Sequence, residues 1–179
     1  MYLDVSDEEI KKAKVPHDIF LINLIGNHIL TFVATLGLAT SWAWPMLIVP
    51  IASFILLGYI IKKGIDSRKN ESWYVMCHWQ IAIKRSVFFI KMILAISVVA
   101  LIGLYGYTNL GWMKEAVFAL IGGVCILPIM VTTLVLILME SDALHQAAEG
   151  KLPDNMIDLY PNPDAKIIDK DIEPVTEKK

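Results

Sequence analysis

The sequence predicts an all-α, polytopic integral membrane protein: four transmembrane helices, a cytoplasmic interfacial helix and an extended C-terminal tail. Three observations carry this prediction. First, 56% of the 179 residues are hydrophobic and mean hydropathy is +0.57, whereas soluble domains run about 45–50% apolar. Second, four apolar runs approach the about 20 residues that a helix needs to cross a hydrocarbon core of about 30 Å. Third, basic and uncharged connections alternate along the chain, as a four-span topology requires.

The elements follow in order. Residues 1–17 read as a cytoplasmic arm. Its opening, MYLDVSDEEIKKAK, is acidic and then basic, unlike a cleaved signal peptide, so the first span is expected to act as the insertion signal. Residues 18–139 form the membrane domain, with spans near 19–40, 44–61, 86–107 and 116–139. The connection SWAW after the first span permits only a tight hairpin. Trp42 and Trp44 suit a membrane–water boundary. Pro45 suits the first turn of the second span, and Pro50, placed deeper, is expected to kink it.

Orientation is read from lysine and arginine. Lys11, Lys12 and Lys14 lie in the arm, and Lys62, Lys63, Arg68, Lys69, Lys84 and Arg85 follow the second span. The first hairpin loop carries no basic residue and the last carries Lys114. Both termini are therefore expected in the cytoplasm, in a bacterial inner membrane.

Residues 71–85, ESWYVMCHWQIAIKR, are aromatic and end in a basic pair. Burying Lys84 and Arg85 in lipid would cost several kcal/mol, so this segment is expected at the cytoplasmic interface as a helical lead-in to the third span. There Trp73, Tyr74, Trp79, Lys84 and Arg85 would serve as anchors. Residues 140–179 read as a helical extension of the fourth span and an acidic tail. Gly150 suits the helix C-terminus and Pro153 the stop after it. From Glu140 onward there are ten acidic and five basic residues, a composition that does not fold alone. Leu152, Ile157, Tyr160 and Ile168 punctuate the tail and are expected to anchor it on a partner. Truncation after Gly150 is then expected to leave the membrane domain intact.

Chemistry-bearing groups are sparse. Asn23, Asn27, Thr31 and Thr35 recur at four-residue spacing, with His28 beside them. Such groups must find partners in hydrocarbon, so this face is expected to point into protein as packing glue. The sharper reading makes His28 the centre of a proton, ion or haem site. Haem needs a second ligand at matching depth, and His17, His78 and His145 all fall near span ends. Cys77 and His78 are adjacent, hence about 100° apart on a helix, and do not form a metal pair. Cys77 and Cys125 have no zinc-type spacing and are not expected to form a disulfide.

The fourth span carries Gly122, Gly123, Cys125, Pro128, Thr132 and Thr133. Proline there frees the Val124 carbonyl, and neighbouring helices tolerate such kinks. Ser97, Ala100, Gly103 and Gly106 mark a close-packing seam in the third span, either inside the bundle or toward another subunit. No acidic residue is expected inside a span.

These readings predict no catalytic, cofactor or metal site. The expected function is a non-catalytic accessory subunit of a larger membrane assembly, such as a secretion or conjugation apparatus or a respiratory complex. The expected partners are the lipid bilayer and other subunits; a net charge of −2 gives no reason to expect nucleic acid. The alternatives are a small transporter or channel formed by oligomerisation, and a haem-binding electron-transfer anchor.

Overall fold

The computed structural model describes residues 1–38, 44–165 and 167–168. A short strand β1 (Tyr2–Leu3) precedes helix α1 (Asp7–Leu21). A π-helical stretch, Ile22–Thr31, continues α1 into α2 (Phe32–Leu38). A 3₁₀ turn at Trp44–Leu47 leads into α3 (Ile48–Asn70), and α4 runs unbroken over Trp73–Asn109. Helix α5 (Lys114–Ala119) passes through a second π-helical stretch, Leu120–Ile126, into α6 (Leu127–Ala148). Helix α7 (Asp154–Leu159) and strand β2 (Ile167–Ile168) complete the described chain. Four of its helices are long and apolar enough to cross a membrane: Asp7–Gly37, Ile48–Asn70, Trp73–Asn109 and Lys114–Ala148.

The helices begin and end where their sequences direct. Ser6 caps α1: its hydroxyl accepts from the Glu9 N–H, while the Glu9 carboxylate accepts from the Ser6 N–H, a reciprocal capping box. The hydroxyl of Ser72 and then the backbone of Ser6 hold the Glu9 carboxyl below its ordinary range. The arm is thus helical from Asp7, eleven positions before the expected membrane domain. Pro50, expected as a kink, falls in the first turn of α3, where the lost N–H has no intrahelical partner anyway. Trp42 lies outside the described residues, as does the side chain of Trp44. Gly150 ends the last long helix at φ +71°, a conformation that costs glycine little. A Cβ there would also crowd the Leu3 carbonyl oxygen at 3.1 Å.

Helices α1 and α4 pack on each other, and α3 and α6 cover the two sides of that pair. Large apolar side chains point outward along the spans, for example Leu101 at 64% and Leu138 at 72% exposure. In water such a surface would be untenable; in a bilayer it is the lipid contact. Three of the four long helices, of 31, 37 and 35 residues, exceed the about 20 that a hydrocarbon core requires, which leaves length to project at the end where the two arms of the chain meet. At 37 residues, α4 is about 55 Å long against a hydrocarbon core of about 30 Å.

Much of the apolar core lies in that projecting end. Tyr74, Val75, Cys77, Trp79, Ile81 and Ala82 are buried there. The segment 71–85, expected as a helical lead-in to the third span, is the first part of the unbroken α4 and is largely enclosed by protein. Tyr74 and Trp79 face the core at 2% and 5% exposure rather than resting on headgroups. Trp73 is half-buried and donates from Nε1 to the Tyr160 carbonyl at 2.7 Å. Lys84 is exposed, and Arg85 lies between these extremes.

The tail is folded on this end as well. β1 pairs antiparallel with β2, Tyr2 opposite Ile168 and Leu3 opposite Ile167. Leu3 N–H donates to the Gly150 carbonyl and Leu152 N–H to that of Met1. Both arms of the chain therefore meet at one end of the bundle, as an even number of spans requires. Leu152 and Met156 are buried by the chain itself. The expectation of an extended partner-binding tail loses Leu152, whose side chain is already occupied. Ile157 and Tyr160 are half-buried, and the side chain of Ile168 lies outside the described set.

Candidate functional site

Two polar layers occupy the bundle interior. The deeper one is built on the π-helical stretch of the first span. Asn23 is fully buried and donates from Nδ2 to Ser53 Oγ on α3 at 3.1 Å. Asn27 donates to Asn23 Oδ1 at 3.2 Å and to the Val49 carbonyl at 2.8 Å. His28 Nε2 lies 2.9 Å from the same Ser53 Oγ. Having accepted from Asn23, the serine hydroxyl is best satisfied by donating to His28 Nε2, which places the imidazole hydrogen on Nδ1.

The threonines are spent locally. Thr31 donates to the Gly26 carbonyl five residues back, following the π-helical spacing, and Thr35 donates to the Phe32 carbonyl. The expected stripe thus divides into Asn23, Asn27 and His28, which bond across to α3, and two threonines that bond their own helix.

His28 also borders a cavity of about 210 Å³. Phe32, Pro50, Ile93, Ser97, Cys125 and Ile129 share its wall. The two π-helical stretches supply His28 and Cys125, from opposite sides of the sequence. Helices with this winding recur where function or strain demands it. The seam expected in the third span is internal at its far end: a Cβ on Gly103 would meet Leu120 Cδ2 at 3.1 Å.

The second layer lies toward the projecting end and was not foreseen as a unit. Glu140 on α6 is completely buried, with Oε2 2.6 Å from His17 Nδ1 and Oε1 2.9 Å from an Arg85 Nη. His17 Nε2 lies 3.0 Å from His78 Nδ1, the two rings meeting edge to face. The same Arg85 nitrogen donates to the Met139 carbonyl at 2.9 Å. Tyr74 packs its ring against His78 and donates its hydroxyl to the Ala147 carbonyl at 3.0 Å. Three helices are joined in this way through one carboxylate and two imidazoles.

With Glu140 accepting from both His17 and Arg85, its charge is compensated in place. His78 Nε2 is buried and makes no hydrogen bond of ordinary geometry, although the Lys151 backbone is nearby. A third polar clasp joins α3 and α4: Gln80 donates to the Gly64 carbonyl at 2.7 Å and accepts from Arg68 at 2.6 Å.

Between the two layers stands an aromatic contact. Phe89 touches His28, with centroids 4.9 Å apart, and Phe20 at 6.3 Å. Both phenylalanines are fully buried. Among the described residues, no three histidine, cysteine or acidic side chains converge as a metal group. His17 turns one nitrogen to a carboxylate and the other to His78, so the two imidazoles do not aim at a common point. Cys77 and Cys125 are both free thiols.

No family model, curated protein or solved structure matches this chain.

Proposed function

We propose that this chain is a non-catalytic accessory subunit of a larger membrane assembly, its four spans serving as an anchor and its projecting end as a docking platform. The observation that carries the reading is how the polar interior is used. Asn23, Asn27 and Ser53 bond one another, and Glu140 is held between His17 and Arg85. Groups spent on joining helices are unavailable to a passing solute. The Phe20–Phe89 contact stands between the two layers. A bundle so closed uses its polar residues for rigidity and register, a role for which buried polar groups have precedent.

The projecting end supplies surface for partners. Ile65, Leu159 and Ile167 expose 56%, 56% and 60% of their area there, and the basic residues Lys62, Lys63 and Lys69 of α3 are exposed as well. We place this end in the cytoplasm on the strength of those basic residues, and the membrane as a bacterial inner membrane.

Purification of the tagged full-length chain in mild detergent tests the proposal. The expected result is a complex of fixed stoichiometry with other membrane proteins. A monomer or homo-oligomer that conducts a solute in liposomes would overturn it. That outcome would favour the transporter alternative, whose support is the His28 cavity between the two π-helical stretches.

A further inference from the structure

We propose that the groove between α4 and α6, headed by Lys84 and Arg85, binds one anionic phospholipid, its phosphate at the two cations and one acyl chain in the groove. The groove encloses about 440 Å³, with Phe88 on α4 and Val131, Val135 and Met139 on α6 along its sides. All four of these side chains are at least 43% exposed.

Charge is the first argument. Lys84 Nζ has a methionine sulfur, that of Met156, as its hydrogen-bond partner at 3.7 Å, and thioether is a weak acceptor. Among the described residues no carboxylate forms an ion pair with it. Arg85 commits one Nη to Glu140 and the Met139 carbonyl. Its other guanidinium nitrogens have no partner among the described residues. Lys84 and Arg85 supply the charge lining this groove. Asp142 lies on the neighbouring groove, where its carboxylate accepts from Gln146 Nε2 at 2.7 Å.

Depth is the second argument. From Met139 to Val131 the helix rises about 12 Å, close to the roughly 15 Å of one hydrocarbon leaflet. The cations sit at the headgroup end of that path. An acidic peptide or free anion would satisfy the cations and leave the apolar wall bare; a lipid satisfies both. Basic pockets between membrane helices recognise anionic headgroups on this principle. The inference does not depend on the chain having a protein partner.

The test is lipid retention by the purified full-length protein, read by native mass spectrometry after exchange into phosphatidylglycerol or phosphatidylcholine with the same acyl chains. One phosphatidylglycerol per chain should be retained, and phosphatidylcholine at least fivefold less. Lys84→Gln, at an exposed position, should reduce phosphatidylglycerol retention about fivefold, the expected share of one cation near the surface. Val135→Trp should fill the groove and abolish retention while leaving the melting temperature unchanged. Excess inorganic phosphate should not displace the lipid. Equal retention of the two lipids, indifference to both substitutions, or displacement by phosphate would each overturn the proposal.

Discussion

Replacing Glu140 with alanine removes the one carboxylate that joins α1, α4 and α6. Its side chain is fully buried, whereas Arg85 keeps 18% exposure and a second acceptor in the Met139 carbonyl. Breaking a buried pair by deleting one partner costs about 3–5 kcal/mol. Residual water access to Arg85 lowers that figure, while the lost partner of His17 Nδ1 adds about 1–3 kcal/mol. A net loss of about 3 kcal/mol follows, or roughly 6–12 °C in melting temperature for a chain of this size. A thiol-reactive dye in detergent provides the assay, because Cys77 and Cys125 are free and buried and become reactive on unfolding. Glu140→Gln should cost less, since an amide can still accept from Arg85 and donate to an unprotonated His17 Nδ1. Glu140→Leu combined with Arg85→Leu should recover much of the loss, because no lone charge then stays buried. An alanine variant within about 0.5 kcal/mol of the parent, the range of a neutral surface substitution, would refute the assignment of this network to stability.

Asn27→Leu removes two interhelical or intralayer donors and should weaken the bundle by roughly 0.6–2 kcal/mol, measured in the same thermal assay; loss of function with assembly intact would instead make the deeper layer functional. Single-cysteine labelling at Asn109 should succeed only from the outside and at Asn70 only from the cytoplasm, whereas labelling of both from one face would overturn the four-span topology. Truncation after Gly150 deletes the buried Leu152 and Met156 and should destabilise the fold by about 3–6 kcal/mol at 1.5–3 kcal/mol for each buried side chain; a truncated chain that melts with the parent would show the tail to be dispensable, as its composition had implied.

That last point shows where sequence reasoning reached its limit. The apolar runs located all four long helices, because length and hydropathy constrain a membrane helix tightly. They did not mark where each helix leaves the membrane. Beyond the span, Tyr74 and Trp79 read as headgroup anchors, since amphipathic aromatics suit both an interface and a core. Ser6 and Glu9 carried a legible signal for the start of α1, the serine and glutamate three apart that form a capping box. The tail read as an extended segment in need of a partner because its apolar residues are too few for a core of their own. They become sufficient on a core supplied by α4 and α6, and composition taken segment by segment cannot register that.

The buried charge network was half legible, for a geometric reason. Reckoning depth along each span separates His28 from the other histidines. The same reckoning puts His17 before the first span, His78 before the third and Glu140 after the fourth, all at one end. Equal depth is thus available from sequence across separations of 61 and 123 positions. Azimuth is not: which side of its helix each residue presents depends on how the helices pack, and here on a π-helical stretch that shifts the register above His17. Spacing rules search along one helix and so pass over a site assembled from single residues on three. A buried acid at a span boundary cannot remain unpaired, and Arg85 directly precedes the expected third span as Glu140 directly follows the fourth. That pairing requirement turns a shared depth into an expected contact before any azimuth is known.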